Sequence, residues 1–261
     1  MRAAAVPRDA ATVVLVRDGP AGGGPLEVLL LERPASATFA PRATVFPGGG
    51  VDPADRHPAW AAASTAGVGR DLRAPLACAV AAVRECFEET GILLARDGDG
   101  RPIPEGLAAA LAITRKRLLE GDAGALRRQL ADHGLRPDLG QLAFIAHWIT
   151  PAGLPRRYDT RFYLTRAPDR QAAVADPRGE HVRCTWSAPG AALAHGIEGS
   201  WQLLPPTRAV LAWVAGHASV AAALTAARAR EVTTVVPDLG DLTRERVPGL
   251  DPAVLRPGHG G

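Results

Sequence analysis

Three carboxylates lie close together in this chain of 261 residues, at Glu85, Glu88 and Glu89. Their i, i+3 and i+4 spacing places all three on one face of a helix, where like charges repel each other. A divalent cation would neutralise them, and carboxylate oxygens are hard ligands that suit Mg²⁺ or Mn²⁺. A solvated charged face is the alternative. It is disfavoured by the apolar residues that surround the glutamates, which are Leu76, Val80, Val83, Phe87 and Ile92.

A glycine-rich stretch lies upstream, where residues 45–52 read Val-Phe-Pro-Gly-Gly-Gly-Val-Asp. Strand-forming residues that run into a proline and three glycines predict a tight turn, which brings backbone carbonyls close to a ligand. On its own, such a stretch is more often an ordinary loop.

Together the two stretches resemble the signature of the Nudix hydrolases, Gly-x5-Glu-x7-Arg-Glu-U-x-Glu-Glu-x-Gly-U, in which U is bulky and apolar. Residues 84–92 match the second half of this signature at every position. The first half differs in two ways. Six residues after Gly49 the chain has Asp55 where the family usually has Glu, and 29 positions instead of eight separate Asp55 from Arg84.

The extra residues between the two halves, near 56–75, can loop out because the entropy of loop closure grows slowly with length. One branch of the family, resembling the eukaryotic coenzyme A diphosphatases, carries an insertion at this place. Residues 39–49, 148–151 and 159–162 are also similar to that branch. We therefore interpret the insertion as a feature of the subgroup.

The order of predicted elements indicates the fold class. Strands are predicted near residues 11–17, 26–32, 44–46, 142–149, 161–165 and 181–186, and helices near 76–90, 188–195, 207–216 and 220–230. This mixture predicts an α/β protein, an α/β/α sandwich on a mixed sheet. Residues 105–133 predict two extra helices broken near Gly121, outside the usual Nudix core. We expect a single domain over residues 1–236 and a partly disordered tail over 237–261.

Composition excludes several classes of partner. The net charge of +3 does not indicate nucleic-acid binding. An odd number of cysteines, Cys78, Cys86 and Cys184, predicts free thiols in a reducing compartment. Neither a signal-like segment nor an apolar run of membrane-spanning length is present in the sequence, so the interpretation is a cytoplasmic protein without a membrane partner.

The Nudix resemblance also implies roles for individual residues. Glu85, Glu88 and Glu89 would bind the cation, and the backbone carbonyl of Gly48 would complete its shell. Arg84 would hold Glu88 by an ion pair one turn along the helix; an exposed pair of little consequence is the alternative. Family members often recruit a general base from outside the signature, and Glu180 is the candidate, with a surface loop residue as the equal alternative.

The activity implied is metal-dependent hydrolysis of the diphosphate bond in a nucleoside diphosphate linked to a group X. Branch resemblance favours coenzyme A or an acyl-CoA. Other coenzyme A enzymes carry a motif ahead of Phe-Pro-Gly-Gly that is absent here, because Thr38 and Arg42 stand at its positions. ADP-ribose, NADH and damaged nucleotides therefore stay open as alternative substrates. A Nudix-fold regulatory module without turnover is the alternative from another class. Dimerisation, which is common in the family, is a further expectation.

Overall fold

The computed structural model describes residues 5–19, 24–38, 40–63, 75–175 and 181–240. The strands are β1 (Arg8–Arg17), β2 (Glu27–Glu32), β3 (Ala43–Val45), β4 (Gly48–Gly50), β5 (Ala95–Arg96), β6 (Arg136–Pro137), β7 (Ala143–Ile149), β8 (Tyr158–Arg166), β9 (Arg183–Ser187), β10 (Gln202–Leu203) and β11 (Thr234–Val235). The helices are α1 (Ala59–Ala63), α2 (Leu76–Thr90), α3 (Leu107–Ala110), α4 (Ala112–Leu119), α5 (Ala125–Asp132), α6 (Pro189–Ile197), α7 (Pro205–Ala215) and α8 (Val220–Ala229).

A mixed sheet forms the centre of the molecule, in the order β10-β3-β2-β1-β8-β7-β11. Strand β1 runs parallel to β8 along its length and antiparallel to β2 only at Val16 and Arg17. Beyond that point β1 pairs with β4, and β2 pairs with β3. The short strands β3 and β4 therefore fill the fork where β1 and β2 separate, which places three glycines against the middle of the sheet.

Two apolar cores lie on opposite faces of this sheet, because the strands alternate their side chains between the faces. Ala11, Val13 and Leu15 of β1 pack with α2, α4 and α5 on one face. Val14 and Val16 pack with α7 and α8 on the other. This arrangement confirms the α/β/α sandwich.

Several elements differ from the prediction. The glycines at 48–50 form the strand β4 and not a turn, because their backbones pair with Ala10, Ala11 and Thr12. Residues 105–133 hold three helices and not two, with the expected break at Gly121, where φ is 95°. Residues 64–74 of the insertion and 241–261 of the tail lie outside the described residues.

No single helix in the described part of the chain is long and apolar enough to cross a membrane. The pair α7 and α8 passes that test only together, with a bend of 114° at the break between them.

Candidate active site

The catalytic candidates lie on the last turns of α2, a helix buried over most of its length. Alanines, valines and Phe87 pack it against the sheet, and Gly91 ends it in the left-handed conformation, with φ of 73°. The helix macrodipole is negative at this end, so carboxylates here are unfavourable without a compensating positive charge. Glu85, Glu88 and Glu89 keep only 13%, 18% and 8% of their side-chain surface exposed.

Strand β4 lies so close to these carboxylates and to β1 that a Cβ at two of its positions would meet neighbouring atoms. The Gly48 amide donates to Glu89 Oε2 at 2.8 Å. A Cβ on Gly49 would lie 2.5 Å from Glu85 Oε1, and one on Gly48 would lie 2.5 Å from the Ala11 carbonyl oxygen. The glycines of the signature therefore provide direct contact between the strand backbone and the carboxylates of the helix.

Arg84 is the buried cation at the centre of the site, with 7% of its side chain exposed. Its Nε and Nη2 donate to the two oxygens of Asp55, each at 2.9 Å, and Nη2 also donates to the Gly50 carbonyl at 2.8 Å. Its Nη1 donates to Glu85 Oε1 at 2.9 Å and to Glu88 Oε2 at 3.0 Å. One guanidinium thereby fixes three carboxylates and the glycine strand.

Asp55 is only 2% exposed, and it also accepts from the Asp52 amide at 2.8 Å. It stands where the signature has Glu, and the bidentate pair with Arg84 shows that the shorter side chain still reaches the guanidinium. The contact agrees with the structural role that the resemblance gives this position. It also fixes the first half of the signature to the second half across the inserted residues.

The electrostatics of the carboxylates reflect their crowding. Burial raises the pKa of Glu85 from an ordinary 4.5 to about 7, and repulsion by Glu88 adds to this effect while Arg84 opposes it. Burial also raises the pKa of Glu89 well above its usual value, helped by repulsion from Glu85. The pKa of Arg84 is raised: burial would lower it, but Glu85 and the other neighbouring carboxylates overcome that effect.

Comparison with known proteins decides the family. The family model described as the NUDT19 Nudix domain matches residues 62–211, more than half of the chain. The chain belongs to the Nudix hydrolase family. A crystal structure of a NUDIX hydrolase from Alicyclobacillus acidocaldarius is 32% identical, with a TM-score of 0.73 over 84% of this chain and 96% of that one. The family resemblance drawn from residues 84–92 is thus confirmed.

Two curated relatives bear the name acyl-coenzyme A diphosphatase NUDT19. The Gallus gallus protein is 32% identical over 249 residues, which cover 76% of this chain and 65% of the relative. The Homo sapiens protein is 31% identical over 229 residues, covering 73% of this chain and 60% of the relative. The chain therefore matches less than two thirds of the length of each of them.

Nudix hydrolases generally require divalent metals, and the donors of this site fit such an ion. Three acidic side chains, Asp55, Glu85 and Glu88, contact one buried guanidinium, and Glu89 lies against the same strand through the Gly48 amide. The pKa values of Glu85 and Glu89 are raised. In the described part of the chain, no three His, Cys, Asp or Glu side chains are arranged as a ligand shell. Arg84 donates to one oxygen of Glu85 and one of Glu88, and the Gly48 amide donates to one oxygen of Glu89.

The candidate base, Glu180, lies outside the described residues. The next residue in the chain, His181, is 3% exposed, and its Nε2 lies 3.6 Å from Glu89 Oε1. His181 shows no metal-ligand spacing in the sequence, and sequence reasoning gave it no role. Its contact with Glu89 joins two distant parts of the chain, so no local sequence pattern predicts it.

Arg115 is a second site residue that the sequence does not indicate. It lies on α4, in the helices added to the Nudix core, and it is buried. Its Nε donates to the Glu88 carbonyl and its Nη2 to the Glu89 carbonyl, both at 2.9 Å, and Nη2 also donates to Val174 at 2.8 Å. It supplies positive charge to the negative end of α2.

Asp159 and Arg161 form an ion pair on β8. Arg161 lies 3.1 Å from Asp159 Oδ1 and 3.4 Å from Asp9 Oδ1. His147 Nε2 lies 2.5 Å from the same Asp159 oxygen. These contacts join the neighbouring strands β1, β8 and β7.

Proposed function

We propose that this Nudix protein hydrolyses the diphosphate bond of a nucleoside diphosphate linked to a group X, with a divalent cation. The observation that carries the proposal is the buried cluster of carboxylates held by Arg84 against the glycine strand. A buried cluster of like charges weakens a fold, so its presence favours a function that requires it. A regulatory module has no need of the complete carboxylate set.

The proposed ligands of the cation are the carboxylates of Glu85, Glu88 and Glu89 and the backbone carbonyl of Gly48. When bound, Mg²⁺ or Mn²⁺ neutralises charge on the diphosphate and lowers the pKa of an attacking water. Arg84 orients Glu85 and Glu88 through the contacts at 2.9 Å and 3.0 Å. The Gly48 amide holds one oxygen of Glu89, and His181 Nε2 lies 3.6 Å from the other.

Glu180 stays our candidate for the general base, which takes the proton from the attacking water as its oxygen bonds to phosphorus. Support comes from its place in the chain beside His181, whose Nε2 lies 3.6 Å from Glu89 Oε1. Glu85 and Glu89 must be deprotonated before they can bind the cation. Their raised pKa values therefore predict that activity rises with pH through the neutral range.

For the group X we propose coenzyme A or an acyl-CoA. The support is the family model and the names of the two curated relatives. ADP-ribose, NADH and damaged nucleotides belong in the same test as competing substrates, and the protein's location and oligomeric state stay open predictions of the sequence.

The test is phosphate release, after coupling to a phosphatase, from CoA, acetyl-CoA, ADP-ribose, NADH and 8-oxo-dGTP with Mg²⁺ and with Mn²⁺. We expect turnover of the coenzyme A class that depends on the cation. The Glu89→Gln variant should lose roughly 10²–10³-fold or more of it, since one oxygen ligand and its charge are removed. Glu120→Gln, at an exposed glutamate on the surface of the added helices, is the matched control. Near-normal turnover in Glu89→Gln would contradict the mechanism.

A further inference from the structure

A cavity of about 910 Å³ lies between the added helices and the segment that follows β8. Ala108, Ala109 and Ala112 of α3 and α4 line one side, and Ala172 and Val174 of the segment line the other. Its volume is in the range of small-molecule sites. Among the described residues that line it are none of the three glutamates, so it is distinct from the carboxylate site.

The cavity nevertheless reaches the catalytic helix. Gly91, which ends α2, and Arg115 both line it. The same Arg115 guanidinium donates to the carbonyls of Glu88 and Glu89 at 2.9 Å. Arg115 therefore links the lining of the cavity directly to the turn of α2 that carries Glu88 and Glu89.

The walls of the cavity favour an uncharged chain. Alanines, prolines, Leu94 and Ile103 make up much of the lining. Charged side chains also line the cavity, and three of its arginines already have acidic partners: Arg96 lies 2.5 Å from Asp138, Arg166 lies 2.9 Å from Asp18 and Arg170 lies 3.0 Å from Glu105. A second phosphate would have to displace one of these carboxylates, whereas a chain of methylene and amide groups displaces only water.

We propose that this cavity, here named the arm cavity, binds the group X of the substrate as a linear, uncharged and mainly apolar chain. An acylated pantetheine has this chemistry. The inference rests on the proposed function, because it places the non-nucleotide arm of a diphosphate substrate. It gives the added helices a specificity role: their alanines leave the space that larger side chains would fill.

Direct binding tests the inference without any turnover. Decanoyl-pantetheine is titrated by calorimetry into the wild type and into Ala112→Trp and Ala172→Trp, which fill the arm cavity from opposite walls. Ala110→Trp is the matched control, because Ala110 is an exposed alanine of α3 outside the lining. We expect each cavity variant to weaken binding at least about tenfold, because several methylene groups lose contact, and the control to bind like the wild type.

Two results would overturn the inference: no binding to the wild type tighter than about 1 mM, or an equal loss in Ala110→Trp. Thermal melts of all variants establish that they are folded. Cleavage of decanoyl-CoA separates this inference from the proposed function. An unchanged KM in Ala112→Trp rejects the arm cavity and keeps the hydrolase. Probe binding with the expected variant pattern, but without cleavage of any diphosphate, rejects the hydrolase and keeps the specificity of the cavity.

Discussion

The carboxylate site and the cavity, which both border the C-terminal end of α2, differ in how tightly they constrain the sequence. At the carboxylate site, β4 and α2 approach within hydrogen-bond distance, Gly48 lies too close to the β1 backbone for a Cβ, and Arg84 donates to three carboxylates and to the Gly50 carbonyl. In the cavity, the added helices contribute mainly alanines to the lining, which many sequences could supply. Residues that catalysis holds through specific contacts can be predicted from a sequence, whereas residues that select a substrate only by leaving space cannot.

Replacement of Arg84 by Met should have the largest effect on the free energy of unfolding. The change leaves Asp55 buried without its bidentate partner. It also removes the positive charge that offsets the repulsion between Glu85 and Glu88. Removing one member of a buried ion pair costs about 3–5 kcal/mol. Denaturant unfolding measures it, and Arg128→Met, which breaks the exposed pair with Asp122, should cost less than about 1 kcal/mol. If the two variants lose the same unfolding free energy, the carboxylate site is no more constrained than the surface.

The pH dependence of stability gives the next effect, in protein stripped of divalent cations. Glu85 has a pKa of about 7 in the folded state and an ordinary value of 4.5 when unfolded. Between these values the folded state holds a proton that the unfolded state has released, so stability falls as pH rises through this window. Glu89, whose pKa is also raised, contributes a change of the same sign. The slope for one such proton is at most about 1.4 kcal/mol per pH unit.

Thermal melts from pH 5 to pH 8, with and without Mg²⁺, measure this slope. Glu85→Gln should reduce the slope for the stripped protein, because one of the two carboxyl groups with a raised pKa is gone. Added Mg²⁺ should also reduce it, since the ion binds the deprotonated carboxylates. A wild-type melting temperature that rises from pH 5 to pH 7 without metal would contradict the assigned direction of the pKa shift.

Arg115→Met tests whether the added helices support the catalytic helix. The variant loses three hydrogen bonds to backbone carbonyls at the end of α2 and at Val174. Hydrogen bonds from a charged group are worth about 1.5–3 kcal/mol, so we expect a loss of unfolding free energy of that size. Arg117→Met, at an exposed position of the same helix, is the matched control. Indistinguishable variants would make the added helices independent of the site.

Features that depend on local sequence could be predicted, and features that depend on distant contacts could not. The helix α2 has the predicted bounds, and Gly91 ends it as expected, because apolar spacing and a glycine both act locally. Arg115 could not be found in this way, since its acceptors are carbonyls, which every residue has. The glycines of β4 were mistaken for a turn because their strand pairing depends on β1, some 40 residues away in the chain.

Gly49→Ala should change stability least and sharpen the comparison most. The new Cβ would lie 2.5 Å from Glu85 Oε1, which is the end of a flexible side chain and can move away. We therefore expect a cost in unfolding free energy of less than about 1 kcal/mol, of the size found for surface changes. The displaced carboxylate should nevertheless bind cations roughly 10–100-fold more weakly, as when the support of a ligand is lost. Mn²⁺ titration followed by electron paramagnetic resonance measures that affinity. Gly50→Ala is the control, because a Cβ there meets no atom within 4 Å. If both variants bind Mn²⁺ equally, the close approach of β4 to Glu85 serves the packing of the fold and not the site.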